Sequence, residues 1–206
     1  VVVSIPRESV LQSLDDCADK GVRVVTFFTA GFRETGDNAW QEIEAEMLKK
    51  ARQGGLRIIG PNCLGAYCPE IKMPLIEGMV GEPGGIGFVS QSGGIAAKLV
   101  SLGIARGINY SKGVSFGNGI DLDSIDFLEY LAADLKTKVI GAYIEGVRDG
   151  RRFLDTIKEV AKAKPLIVWK GGRTKAGADA TASHTGSLSS SSVTWSAALK
   201  QAGVVE

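Results

Sequence analysis

Apolar runs rich in β-branched residues alternate with amphipathic segments along almost the whole chain. Val22–Thr29 and Val139–Ile144 are two such runs, and each is followed by a segment whose apolar residues recur at helical spacing. Short runs that are apolar at nearly every position are typical of strands buried on both faces, as in parallel sheets covered by helices. The sequence therefore predicts an α/β protein.

This alternation falls into two series. Residues 1–60 show a β-α-β-α-β pattern, about half of a nucleotide-binding domain. Residues 61–84 are rich in proline and glycine, and we expect a long loop or linker there. Four strands with intervening helices follow. We predict that residues 1–80 are the C-terminal part of a Rossmann-like domain plus a linker, and that residues 81–206 form a flavodoxin-like, doubly wound parallel-sheet domain.

Both ends of the chain have the character of a domain interior. Val1–Ile5 already has the pattern of a buried strand, with no methionine and no signal-peptide pattern before it, and Glu206 follows the apolar pair Val204–Val205. We therefore expect the chain to be a piece of a longer protein.

Composition excludes several classes of protein. With 24 basic and 23 acidic residues among 206, no basic face for nucleic acid is expected. No stretch approaches the ~18 apolar residues of a membrane span. The three cysteines, Cys17, Cys63 and Cys68, lack the paired spacing of a metal site. We expect reduced thiols, no metal site and a cytoplasmic protein.

The turn after the first strand of the second series is a candidate phosphate site. It leads straight into a predicted helix, so its backbone N–H groups and the positive end of the helix dipole suit an anion. It lacks the lysine of a Walker A loop, and a helix cap with glycines for tight packing explains it equally well. The residues concerned are Gln91, Ser92, Gly93 and Gly94, after Ser90.

Two later strands also end in polar residues. Asn118-Gly119 is a turn dipeptide, and Asp123 or Ser124 can cap the next helix, so structural roles are favoured at that position. Glu145 follows the apolar run Val139–Ile144. A carboxylate at the end of a buried strand is costly unless it is paired or hydrogen-bonded. It therefore either caps a neighbour or orients a catalytic group.

His184 is the only histidine and lies in a segment of small residues, Gly171–Ser192. A lone histidine is more often structural than catalytic. Here, however, no apolar face surrounds it, and small neighbours let another group approach closely. An imidazole with one nitrogen held by a carboxylate presents the other as a nucleophile. A phosphohistidine site is possible if His184, Glu145 and the Ser92 turn meet.

Four motifs in this order resemble a known family. They are Gly60-Pro61-Asn62-Cys63-Leu64-Gly65, Ser90-Gln91-Ser92-Gly93-Gly94, Glu145-Gly146 and Ser183-His184-Thr185-Gly186. Together they resemble the α subunit or α-like region of ADP-forming acetyl-CoA synthetases, in the succinyl-CoA synthetase superfamily. The match covers nearly the whole chain.

The resemblance implies a reaction and its residues. Acyl-CoA and phosphate give acyl phosphate and CoA, the phosphoryl group passes to His184, and an ATP-grasp β subunit or fused domain transfers it to ADP with Mg²⁺. The resemblance assigns Glu145 to orient and stabilise the phosphohistidine, and Ser92, Gly93 and Gly94 to cradle phosphate. It places CoA or acyl contacts at Phe28, Thr29, Ala30, Gly31, Asn62 and Cys63. It further implies an oligomeric complete enzyme and the transient phosphate as its only covalent group.

Some features depart from the family pattern. The glycine-rich turn that opens the family's CoA domain would precede Val1, and no ATP-grasp domain is present. Ala97 stands where succinate-using relatives carry a tyrosine, which favours acetate or a bulkier, more apolar acid. The alternative is a catalytically inactive module that senses CoA or acyl-CoA and regulates a protein acetyltransferase. Such modules lack the catalytic histidine, so His184 weighs against it.

Overall fold

The first half of the chain folds around a small parallel sheet. A computed structural model describes residues 1–174, 177 and 192–206. Its first sheet has three parallel strands in chain order, β1 (Val2–Val3), β2 (Val24–Phe27) and β3 (Arg57–Ile59), linked by helices α1 (Val10–Asp19) and α2 (Asn38–Gln53). Asp37 caps α2, because its carboxylate accepts a hydrogen bond from the Ala39 amide at 2.9 Å.

The second half of the chain folds around a larger sheet. Its five strands are β4 (Gly65–Tyr67), β5 (Pro83–Ser90), β6 (Tyr110–Ser115), β7 (Val139–Ile144) and β8 (Leu166–Lys170), in the order β4-β6-β5-β7-β8. The helices are α3 (Gly93–Ala105), α4 (Ser124–Ala133), α5 (Gly150–Ala163) and α6 (Ser192–Gln201). Because β5 to β8 run parallel, their carboxyl ends share one edge, where ligands bind in folds of this kind.

The prediction of a loop over residues 61–84, and of four strands in the second series, missed β4. This strand pairs antiparallel with β6, Gly65 opposite Ser115, and β5 already begins at Pro83. Three residues between prolines and glycines give little periodicity, and the partner strand lies about fifty positions away in the sequence. The segment expected to link the two sheets therefore also forms the edge of the second one.

The two halves share core and backbone contacts. The chain leaving β6 runs along the free edge of β3, where the amides of Ile120 and Leu122 donate to the carbonyls of Gly60 and Ile58 at 3.0 and 3.2 Å. Ile120 is buried among the side chains of the first half. Arg57 adds an ion pair with Asp121 at 2.8 Å.

Among the described residues, no helix combines the length and the apolar composition needed to cross a bilayer.

Candidate functional site

The predicted phosphate turn forms the start of α3. Ser92 is the N-cap, and its hydroxyl accepts a hydrogen bond from the Ile95 amide at 3.4 Å. A Cβ at Gly93 would lie 3.1 Å from Cγ of Leu64, whereas one at Gly94 would meet only the Ser92 hydroxyl at 3.9 Å. A side chain at position 93 would therefore crowd Leu64, and Gly94 leaves open space at a helix end whose first N–H groups have no intrahelical partner.

Gln91 lies beneath this turn, and its side chain is engaged by the protein. It is buried, and its amide oxygen accepts hydrogen bonds from the backbone N–H groups of Glu145 and Gly146 at 2.8 and 3.1 Å. Its own N–H donates to the carbonyl of Tyr143 at 3.0 Å. Gln91 thus ties the end of β5 to the end of β7.

Glu145 directly follows β7 and lies in a buried group of ionisable side chains. It is 5% exposed, and Lys170, the last residue of β8, is 3% exposed. The Lys170 ammonium donates to the carbonyl oxygen of Glu145 at 2.8 Å and also to that of Gly171. Burial lowers the pKa of Lys170, while the Glu145 charge acts in the opposite direction. Burial, followed by the charge and hydrogen bond of Glu145, raises the pKa of Tyr143 to about 12.

Lys170 and Tyr143 were not predicted as site residues from the sequence. Lys170 ends the strand Leu166–Lys170, much as Glu145 follows the strand Val139–Ile144. A charged group at the end of a buried strand is costly unless it is paired, and this holds for the Lys170 ammonium as it does for the Glu145 carboxylate. Tyr143 gives no comparable signal, because a tyrosine inside a strand is ordinary.

The loop after β2 contains the predicted CoA contacts. The Thr29 hydroxyl donates to the Ile5 carbonyl at 2.8 Å, and Phe28 is exposed. Gly31 has a φ of +101°, and its amide donates to the carboxylate of Glu34 at 2.6 Å. The loop is therefore anchored at Thr29 and Gly31, with exposed Ala30 between these anchors and the exposed Phe28 ring just before them.

The loop after β3 lies against the loop after β2. The Asn62 amide donates to the Thr29 carbonyl at 2.9 Å. Cys63, in contrast, is buried, and its thiol donates to the carbonyl of Phe27 at 3.5 Å. Burial raises the pKa of this thiol to about 12. Any contact of Cys63 with a ligand must therefore come from its backbone.

The loop after β3 also reaches the phosphate turn. The Leu64 amide donates to the Ser115 hydroxyl at 3.1 Å, and the Leu64 side chain packs on Gly93. A continuous series of contacts thus joins the loop of Thr29, the loop of Asn62, the start of α3, Gln91 and Glu145. The structure brings these predicted residues to one edge, and His184 lies outside the described residues.

Asn118 connects the two halves at this edge. It sits in the predicted turn, where Gly119 has a φ of +56°. Its side-chain nitrogen donates to Glu34 and Glu44, both at 2.6 Å, and its oxygen accepts from Asn62 at 3.4 Å. The structural role favoured from the sequence is present, but the turn also links the two predicted acyl-site loops.

Charged side chains surround Asn118. Arg148 donates to the carbonyls of Asn118 and Ile120 at 3.2 and 3.0 Å and also to that of Gly119. Arg33 pairs with Glu44 at 3.6 Å. Burial raises the pKa of Glu44 against the opposing effect of Arg33. The sequence could not reveal this group, because its members come from segments up to 115 positions apart.

The described part of the chain offers no candidate metal centre. None of its histidine, cysteine and acidic residues form a group of three or more with metal-binding geometry.

Two family descriptions match the chain, one on each side of residues 70–82. A CoA binding domain matches residues 1–69, and a succinyl-CoA ligase like flavodoxin domain matches residues 83–206, more than half of the chain. The chain belongs to the succinyl-CoA ligase-like family. The predicted fold class, a partial Rossmann-like CoA-binding domain followed by a flavodoxin-like domain, is confirmed.

Curated members of the family are similar over almost all of this chain. It is 43% identical over 204 residues to the α subunit of acetate–CoA ligase (ADP-forming) II from Pyrococcus furiosus, covering 99% of this chain and 44% of that protein. It is 40% identical to acetate–CoA ligase (ADP-forming) from Methanocaldococcus jannaschii, covering 99% of this chain and 29% of that protein. The chain thus spans less than half of the length of either relative.

A solved structure in the family has the same fold. Dinucleotide forming acetyl-coenzyme A synthetase 1 of Candidatus Korarchaeum cryptofilum, in complex with phosphate and ADP, superposes with a TM-score of 0.87 at 37% identity. The match covers 99% of this chain and 44% of that one. The family resemblance inferred from four short motifs is therefore confirmed along the whole chain.

Proposed function

We propose that this chain is the α region of an ADP-forming acyl-CoA synthetase. The complete protein interconverts acyl-CoA, ADP and phosphate with a carboxylic acid, CoA and ATP. The observation that carries the proposal is the continuous edge at which the Thr29 and Asn62 loops meet the start of α3, with Glu145 tied to the same turn through Gln91. The loops that we assign to the thioester therefore lie against the turn that we assign to phosphate.

The first step forms acyl phosphate. Phosphate binds at the open helix start by Gly94, where free N–H groups and the helix dipole favour an anion. The loops of Thr29 and Asn62 hold the thioester of acyl-CoA beside it. A phosphate oxygen attacks the thioester carbonyl carbon, the C–S bond breaks, and CoA leaves as a thiol that takes up the proton. Cys63 takes no covalent part, because its thiol is buried and protonated.

The second step loads His184. A ring nitrogen attacks the phosphorus of acyl phosphate, the bond between phosphorus and the acyl oxygen breaks, and the carboxylate leaves. Glu145 orients the imidazole and balances the positive charge that develops on it. The helix start that held phosphate in the first step then holds the phosphoryl group on His184.

The third step belongs to a partner. An ATP-grasp β subunit or fused domain binds ADP with Mg²⁺ and takes the phosphoryl group from His184. We assign Mg²⁺ to this partner because Mg²⁺ is typically held by one or two carboxylates together with the phosphates of the nucleotide, which binds there. We expect the complete enzyme to be an oligomer and to be located in the cytoplasm. The cysteines Cys17, Cys63 and Cys68 stay there as free thiols.

We assign residues 1–80 to the CoA domain and its linker, and residues 81–206 to the phosphohistidine domain. Within the second domain, Ala97 is a small residue of α3 that packs, partly buried, against the core. A methyl group there leaves room next to the phosphate turn. We therefore propose acetate or a bulkier apolar acid as substrate, and not succinate.

The test is ATP formation by the complete protein from acetyl-CoA, phosphate and ADP. We expect turnover by the wild type and a loss of at least ~10³-fold in His184→Ala, because the covalent carrier is gone. Ser190→Ala, in the same segment but outside the motif around His184, is the control and should keep wild-type turnover. Equal ATP formation by His184→Ala and wild type would overturn the proposal.

The regulatory alternative is not supported. The relatives that cover this chain at 40–43% identity are named as ligases, and this chain has a histidine within Ser183–Gly186.

A further inference from the structure

The backbone of Glu145 is held from both neighbouring strands. In the sheet, β7 lies between β5 and β8, and Glu145 is the first residue beyond β7. Gln91 is the first residue beyond β5, and Lys170 is the last residue of β8. Both flanking side chains are directed to the peptide groups of Glu145, so the contacts come from two sides of one position.

Gln91 holds the amide side. Its oxygen accepts from the N–H groups of Glu145 and Gly146 at 2.8 and 3.1 Å, and the side chain is 4% exposed. A side-chain amide buried in this way fixes two successive peptide groups just where the strand ends and ladder hydrogen bonding stops. The direction in which the Glu145 side chain leaves the sheet is set by those peptide groups.

Lys170 holds the carbonyl side. Its ammonium donates to the Glu145 carbonyl at 2.8 Å and lies 5.2 Å from the centre of the Trp195 ring in α6. An apolar side chain at the end of β8 would cost less free energy to bury, because burying an ammonium is expensive unless it is paired. Lys170 and Trp195 also flank, in sequence, the segment that contains His184. The lysine therefore links Glu145 to the helix that follows this segment.

We infer that Gln91 and Lys170 are positioning residues that clamp the backbone of Glu145 and so fix its carboxylate for the loading of His184. The inference rests on the proposed function. It also gives Gln91 a different role from the phosphate contact predicted for it.

The test measures phosphate transfer to His184 in the complete protein, using acetyl-CoA and labelled inorganic phosphate in rapid-quench experiments. The variants are Gln91→Met, Lys170→Met and the double variant. Each single change should slow His184 phosphorylation roughly 10- to 100-fold, the range expected for small misplacements of a reacting group. The KM values for acetyl-CoA and phosphate should stay within about twofold, because neither side chain binds them.

Lys164→Met is the matched control. The Lys164 ammonium also donates to two backbone carbonyls, those of Leu131 and Asp134, but at the opposite end of β8. It should leave the phosphorylation rate within about twofold of the wild type. Because Gln91 and Lys170 act on one group, their double variant should be slowed by less than the product of the single effects.

The outcomes separate the two proposals. If the wild type loads no phosphate on His184, the proposed function fails. If it does, and Lys170→Met and Gln91→Met both load at the wild-type rate, only the clamp is overturned. Single effects that multiply in the double variant, or that raise the KM values and leave the rate constant unchanged, also overturn the clamp.

Discussion

Cys63 and Cys68 are five positions apart and differ in chemical environment. Cys63 lies in the core with its thiol on the Phe27 carbonyl, whereas Cys68 is partly exposed. The sequence placed Cys63 in a loop at the acyl site and could not show which way its side chain turns. That direction depends on Gly60, where a Cβ would lie 2.9 Å from the Cys63 sulfur. The thiol thus fills space that a glycine leaves.

Alkylation distinguishes these cysteines. The pKa of the Cys63 thiol is raised to about 12, so at pH 8 it is protonated as well as buried, and only the thiolate reacts. We expect iodoacetamide to label Cys68 in the native protein at least ~10-fold faster than Cys63 or Cys17, as measured by peptide mass spectrometry. In denaturant the three should label at similar rates. Labelling of native Cys63 as fast as Cys68 would contradict the buried position.

At the scale of elements, some strands were predicted from the sequence and one was missed. Val139–Ile144 is found as predicted, because an apolar run between polar turns marks a buried strand well. The three-residue β4 was missed because its pairing with β6 is a tertiary contact. The turn after β6 was recognised from Asn118-Gly119, but not its contact with the loop after β3.

Gly117 in this turn tests that contact. It has a φ of +55°, and a Cβ would lie 2.1 Å from the Asn62 carbonyl oxygen and 2.3 Å from that of Pro61. Gly107 has a similar φ of +68° but nothing within 4 Å of a Cβ. In urea unfolding, Gly107→Ala should lose ~1 kcal/mol, the cost of the backbone conformation. Gly117→Ala should lose ~3 kcal/mol or more, because the clash is added. Equal losses would contradict the backbone contact between the two loops.

At the scale of the whole molecule, the two sheets are joined by a charged group of low exposure. Asn118, Glu34, Glu44, Arg33 and Arg148 connect the loops of the first sheet to the turn after β6. The alternation of strands and helices predicted two units but not how they meet. Contacts between side chains far apart in sequence leave no periodic signal, and a single sequence does not identify them.

Among the residues of this junction, we expect substitution of Arg148 to lower the free energy of unfolding most. Its guanidinium satisfies carbonyls of Asn118, Gly119 and Ile120, which would be left without that donor in Arg148→Met. We expect a loss of ~2–4 kcal/mol in the free energy of unfolding, and faster hydrogen exchange at the Asn118 and Ile120 amides. The control is Arg151→Met, since Arg151 is 86% exposed and pairs only with Asp155 on the same helix. The free energy of unfolding of that variant should stay within ~0.5 kcal/mol of the wild-type value. Equal losses in both variants would contradict a stabilising role of the junction.

The central claim is that His184 carries phosphate between an acyl phosphate and ADP. The direct measurement is to incubate the complete protein with acetyl-CoA and labelled inorganic phosphate without nucleotide, and to map the labelled residue. The account predicts an acid-labile, base-stable phosphate on His184 that is lost to ADP as labelled ATP when ADP and Mg²⁺ are added. Label on another residue, or label equal in His184→Ala, would contradict it.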